Sequence, residues 1–196
     1  KLPFYHSFAG KTVNPAIDLA EILIASAPPA GGDSVMSKVF FAASGSEAND
    51  TAMKMVWYYN AALGRPEKRK IISRRKGYHG VTMAAASLTA LAYAQDGFGL
   101  PLDFVKHTTA PDFYNSAQDG ESEEDFASRC AADLETLILE EGPETVGALF
   151  AEPVMAAAGL IIPLRNNSEN IRAVLEKYDV LLVADEVICG FGRTGN

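Results

Sequence analysis

The sequence predicts an α/β fold with a mainly parallel sheet covered on both faces by helices, and three observations carry that prediction. Short apolar runs alternate with longer segments of helical periodicity. The runs are apolar throughout, not on alternate residues, as strands buried on both faces require. The 196 residues, 48% hydrophobic and 21% charged, also suffice to bury a sizeable core, with one domain as the default.

Taken in order, residues 37–44 (SKVFFAAS) contain an apolar run suited to a strand. They lead into a helix in which Ala48, Ala52, Val56, Tyr59 and Leu63 recur at helical spacing. KIISR, residues 70–74, reads as a strand and residues 81–91 (VTMAAASLTAL) as a helix. After the acidic segment GESEED, Phe126, Cys130, Leu134, Leu137 and Ile138 line one helix face, and the preceding carboxylates suit a solvated helix N-terminus. Residues 146–154 (VGALFAEPV) predict a buried strand, SENIRAVLEKYD an amphipathic helix from Ser168, and residues 180–187 (VLLVADEV) another buried strand. Turn residues mark loops at 28–32, at Gly64-Arg65-Pro66, around Pro111 and at Asn166-Asn167.

Composition excludes some partners. A net charge of −8 disfavours nucleic acid and anionic membrane surfaces, which call for basic patches. Cys130 and Cys189 stand far apart with no second Cys or His at metal-ligand spacing, which suggests neither a disulfide framework nor a zinc site and fits a reducing cytoplasm. The most apolar stretch, residues 146–164, is interrupted by Glu152, Pro153 and Pro163, so it reads as buried strands and not as a membrane span. The opening KLPFYHSF has no features of a targeting peptide.

Ligands of open α/β sheets sit beyond the carboxyl ends of the strands, so the residues there are the candidates for chemistry. Ser44 and Glu47 have capping-box spacing around Gly45 and Ser46, and the free N–H groups of such a first turn can hold a phosphate. Gly77-Tyr78-His79-Gly80 places an aromatic and an imidazole between turn-permitting glycines, whereas the isolated His6 and His107 read as surface or core histidines. Glu152 and Asp185 each end an apolar run, where a buried acid needs a partner or a ligand. Together these junctions predict a pocket for a flat, phosphorylated cofactor whose ring gains from a carboxylate. Gly190-Phe191-Gly192-Arg193-Thr194-Gly195 has dinucleotide-fingerprint spacing, but it follows Asp185-Glu186, which would repel a pyrophosphate, and no helix and distal acid follow.

SGSEAND, GYHG, AEPVM and ADEVICGFGRTG, in this order and with the match running along residues 1–196, resemble the class III aminotransferases that use pyridoxal phosphate. The wording is most similar to the omega-amino acid or amine to pyruvate branch. The resemblance implies the large domain of a fold-type I enzyme, present in part, with the rest of that domain and a small domain lying elsewhere, and an active site at a homodimer interface. It implies cofactor phosphate on Gly45 and Ser46, Tyr78 stacked on the ring, and Asp185 paired with the pyridine nitrogen. It also implies Val187 on the opposite ring face, on the same strand face as Asp185, and Glu152 organising the site, with His79 nearby. Ala157 stands where the ornithine and 4-aminobutyrate branches carry a second Glu, which disfavours those substrates, and IIPLRNNSENIR predicts a loop built differently. None of Lys38, Lys54, Lys76 and Lys177 matches the family's Schiff-base lysine motif, so the 196 residues alone are expected to be inactive. The parent is expected to move an amino group from an amine or amino acid donor to a keto acid, pyruvate foremost. The alternative is a non-catalytic protein that keeps the fold for assembly or cofactor binding.

Overall fold

The computed structural model describes residues 6–28 and 36–195. Most of the expected 28–32 loop and residues 1–5 of the opening segment lie outside the described residues. The chain divides into two compact units, residues 1–42 and 43–196.

The first unit holds a short 3₁₀ turn, Phe8–Gly10, and helix α1, Asn14–Ser26. Pro15 sits in the first turn of α1, where its missing N–H is no loss. Periodicity gives little warning of this helix, because apolar Ile17, Leu19 and Ile22 are all exposed. The strand expected at residues 37–44 is not formed: residues 36–42 have no ladder partner among the described residues, and an apolar run without a partner is not a strand.

The second unit is built on a four-stranded parallel sheet of order β2-β1-β3-β4. Its elements in chain order are α2 (Gly45–Ala62), β1 (Lys70–Arg74), α3 (Met83–Leu88), α4 (Ala92–Gln95), β2 (Val105–Thr108), α5 (Phe113–Ser116), α6 (Glu123–Glu141), β3 (Val146–Ala151), α7 (Asn167–Lys177) and β4 (Leu181–Ala184). Alternate residues of β1 and β3 serve opposite layers. Ile71, Ala148 and Phe150 pack with Met53 and Val56 of α2 and Leu88 of α3, whereas Ile72, Leu149 and Ala151 pack with Leu134 and Ile138 of α6 and Ile171 and Leu175 of α7. This two-sided burial is why these strands read as continuous apolar runs.

Three expected elements end early, each for a local reason. The helix expected at 81–91 is only α3, because Thr89 turns inward and Ala90 exchanges backbone hydrogen bonds with the 76–77 turn, Ala90 N donating to Gly77 O and Lys76 N to Ala90 O. The strand expected at 146–154 stops at Ala151, one residue before Glu152. The strand expected at 180–187 is β4 alone, followed by one further ladder bond from Asp185 N to Ala151 O at 2.9 Å. Nor is β4 buried on both faces: it lies at an edge of this sheet, and Leu182 is 55% exposed. Strand β2 (VKHT) is too short and polar to announce itself, and its Lys106 is the kind of residue edge strands tolerate.

Helix α2 begins as its capping box predicts. Ser44 Oγ accepts from Glu47 N at 3.2 Å, while Glu47 Oε2 reaches back one residue farther than usual and accepts from Ala43 N at 2.7 Å. Ser44→Ala is expected to destabilise the protein by about 1 kcal/mol. Denaturant titration of the cofactor-free protein checks this, and an unchanged midpoint would show that the cap is idle.

Candidate active site

Beyond the carboxyl ends of β1, β3 and β4 lies a cavity of about 520 Å³ lined by Gly45, Ser46, Asn49, Tyr78, His79, Gly80, Glu152, Ala156, Ala157, Asp185, Val187 and Ile188. All six residues singled out as cofactor contacts, Gly45, Ser46, Tyr78, Glu152, Asp185 and Val187, line this one cavity, as does His79. One placement differs from expectation. Val187 does not share a strand face with Asp185, because β4 ends at Ala184 and residues 187–194 are turns. A local turn brings it to the cavity instead, with Val187 N donating to Asp185 Oδ1 at 3.3 Å. Gly190 to Thr194 lie in this run of turns.

At the start of α2, Glu47 N is capped by Ser44 and Ala48 N donates to Ser44 O. The N–H groups of Gly45 and Ser46 have no acceptor among the described residues. Two unpaired donors at the positive end of an 18-residue helix form an anion-binding position. Ser46 Oγ accepts from Val81 N at 3.0 Å, which ties this turn to the 77–80 turn.

The two acids occupy contrasting surroundings. Asp185, its side chain 6% exposed, accepts at Oδ2 from Asn49 Nδ2 and from His79 Nδ1, both at 2.9 Å. Burial alone would raise its carboxyl above the ordinary value, but the hydrogen bonds from His79 and Asn49 outweigh that and hold it below. Glu152 is also buried, and burial pushes its carboxyl up, against the smaller opposing pull of Tyr78 N, which donates to Oε1 at 2.9 Å, and of His79. The two neighbouring carboxyls are thus shifted in opposite directions, Asp185 below its ordinary value and Glu152 above.

The raised Glu152 carboxyl gives a pH prediction. A protonated Glu152 favours the native state, and that contribution is present at low pH and lost as pH rises through the raised native value. Wild type should therefore lose stability relative to Glu152→Gln as pH increases from about 4 towards 8. Thermal unfolding of both cofactor-free proteins across that range checks it, and a constant difference in Tm would contradict the burial argument.

Sequence reasoning missed Asn49, although its signal was present: it follows Gly45 by four positions and Ser46 by three, on the same helical face. Thr89 was missed because it acts behind the cavity, its Oγ1 accepting from His79 N at 2.8 Å and Gly80 N at 3.2 Å. His107 lies half-buried on β2, outside the cavity lining, with Nε2 3.0 Å from Ser87 O.

The family model described as aminotransferase class-III matches residues 3–196. The chain is 52% identical to the gamma aminobutyrate transaminase 3, chloroplastic, of Solanum lycopersicum, across all of this chain and 37% of that protein. It is also 52% identical to the vanillin aminotransferase of Capsicum chinense, across 99% of this chain and 41% of that protein. Among solved structures, the omega transaminase of Pseudomonas jessenii in complex with PMP superposes with a TM-score of 0.94 at 57% identity, covering all of this chain and 42% of that one. A transaminase with L-ala gives 0.94 at 55%, covering 45% of that chain. The chain spans less than half the length of these relatives. A family match over residues 3–196 and close superposition agree: this chain belongs to the class-III aminotransferases.

Proposed function

We propose that the protein containing this chain transfers an amino group from an amine or amino acid to a keto acid, with pyridoxal phosphate held in the cavity beyond β1, β3 and β4. The observation that carries this reading is the buried Asp185 carboxyl, which accepts from Asn49 and faces His79, in the same cavity as the two N–H groups of α2 that have no acceptor among the described residues. Class-III aminotransferases use pyridoxal phosphate, and the residues present fit it: donors for a dianionic phosphate and a carboxylate for a protonated ring nitrogen. When bound, pyridoxal phosphate supplies an aldehyde for amine exchange and an electron-withdrawing ring.

This chain's residues would hold the phosphate on Gly45 and Ser46 and flank the ring with Tyr78 and Val187. Asp185 would keep the proton on the ring nitrogen, and Glu152 would brace the Tyr78 turn through its bond to Tyr78 N. The chain would form part of the cofactor-binding large domain, with a lysine outside residues 1–196 completing the chemistry and a second copy completing the site as a homodimer. Exposed Met55 and Tyr58 on α2 and Leu63 at its end are consistent with coverage by another chain.

An amine or omega-amino acid donor and pyruvate as acceptor are the proposed substrates. Ala156 and Ala157 give the cavity a small apolar wall, and no Arg or Lys among the described residues lines it. A solved relative is described with L-ala, the amino counterpart of pyruvate. Relatives named for gamma-aminobutyrate match at 52% and 55% identity, which keeps 4-aminobutyrate among the donors to be tested. A cytoplasmic location is proposed from the free Cys130 and Cys189. Names of tomato and rice relatives put those proteins in chloroplasts or mitochondria, and imaging of the tagged full-length protein decides between compartments. No helix among the described residues is long and apolar enough to cross a membrane.

The decisive experiment is to purify the full-length protein with pyridoxal phosphate, fix the cofactor with borohydride, and assay alanine formation from pyruvate with a panel of amines. A single labelled lysine and alanine production support the reading. Bound cofactor without amino transfer to any keto acid would favour the non-catalytic alternative.

A further inference from the structure

His79 is the more deeply buried member of its pair with Asp185, its side chain 1% exposed against 6%, and the chemistry proposed above gives it nothing to do. Its surroundings fix it from several sides. His79 N donates to Thr89 Oγ1 at 2.8 Å, and the ring meets Phe150 edge-on, with centroids 6.4 Å apart and planes at 82°. Asn49 Nδ2 donates both to His79 O at 2.8 Å and to Asp185 Oδ2 at 2.9 Å. Both amide hydrogens are thereby committed, and the amide oxygen is turned away from the carboxylate. Because an ionised carboxylate only accepts, the Nδ1 of His79 that faces the same oxygen must carry a hydrogen.

Two donors therefore converge on Oδ2, whereas among the described residues Oδ1 receives only the longer 3.3 Å bond from Val187 N. The two oxygens of Asp185 are not equivalent. We propose that His79 is a positioning residue which, with Asn49, occupies Oδ2 and so presents Oδ1 of Asp185 to the nitrogen of the cofactor ring. This rests on the reading of the cavity as a pyridoxal phosphate site. The other titratable groups around His79 are Glu152 at the end of β3 and, farther off, His107 on β2. Neither hydrogen-bonds to its ring among the described residues. Without His79 the buried carboxylate keeps its desolvation penalty and loses a charge-assisted partner, so its grip on a protonated ring nitrogen weakens.

The test uses the full-length protein and a ligand that needs no lysine: pyridoxamine phosphate, compared with its 1-deaza analogue, which lacks the ring nitrogen. Affinities are measured by fluorescence titration. Wild type should prefer pyridoxamine phosphate by at least about tenfold, the scale of a hydrogen bond to a charged group. His79→Phe, which fills the space without a donor, should bring the preference close to one while leaving the affinity for the deaza analogue unchanged. Asn49→Ala should shrink the preference in the same sense, and His79→Asn, whose amide can take the place of Nδ1, should restore most of it. If His79→Phe weakens both ligands equally, or leaves the preference intact, the positioning role is wrong. If wild type itself shows no preference, the assignment of Asp185 to the ring nitrogen fails first, a result distinct from failure of His79 alone.

Discussion

Replacing Asp185 by Asn in the full-length protein is expected to lower the rate of a single half-reaction by on the order of 10²–10³-fold, the scale for removing one preorganised electrostatic group. Cofactor retention should fall far less. The reason is geometric: an asparagine side chain has nearly the same shape as aspartate and its amide oxygen can still accept from Asn49 and His79, so the cavity wall survives. The amide carries no charge, however, and would not hold a proton on the ring nitrogen of bound pyridoxal phosphate, whose electron-withdrawing chemistry would then be weaker. Stopped-flow single-turnover measurements with excess amine check this directly. Wild-type rates in that variant would remove Asp185 from the chemistry.

Gly80→Ala should be the most damaging single substitution of a non-titrating residue in the cavity wall. Gly80 has φ +133°, a conformation that side-chain-bearing residues rarely adopt, and an added Cβ would fall onto Ser46 Oγ and lie 2.9 Å from the Cα and Cβ of Ser46. The backbone conformation costs about 1–3 kcal/mol, and overpacking against the first turn of α2 a further ~1–3 kcal/mol. Both turns also line the cavity, so forcing them apart moves the proposed phosphate donors away from Tyr78 and His79. A lowered Tm together with a pyridoxamine phosphate affinity reduced at least about tenfold is the expected pair of results. A variant with wild-type Tm and affinity would show that the two turns are not locked together.

The elements that residues announced for themselves were those with redundant local signals. β1, β3 and α6 combine an apolar pattern with punctuation at their ends: Gly77 after β1, Glu152-Pro153 after β3, and Ser122 before α6, where its Oγ accepts from Asp125 N at 3.1 Å. The misreadings arose where pairing decides. Residues 37–44 carry the same apolar character as β3 but have no partner strand among the described residues, and VKHT becomes a strand only because β1 lies beside it. The end of the helix expected at 81–91 depended on Thr89 finding His79 and Gly80, contacts across ten and nine positions that no local window reveals.

The same division runs through the site. Sequence by itself determined which residues stand at the strand ends, that a capped helix starts at Ser44, and that Asp185, Glu152 and Tyr78 belong together, because residue type and order at a junction are local facts. Only the tertiary structure decided how the two acids differ. Asp185 is held ionised because Asn49, from a helix 136 positions earlier, and His79, 106 positions earlier, converge on one of its oxygens. The Glu152 carboxyl is pushed above its ordinary value because burial outweighs the N–H of Tyr78 and the pull of His79. Desolvation and hydrogen bonding depend on what surrounds a group in space, and that becomes known only once the sheet has brought its strand ends together.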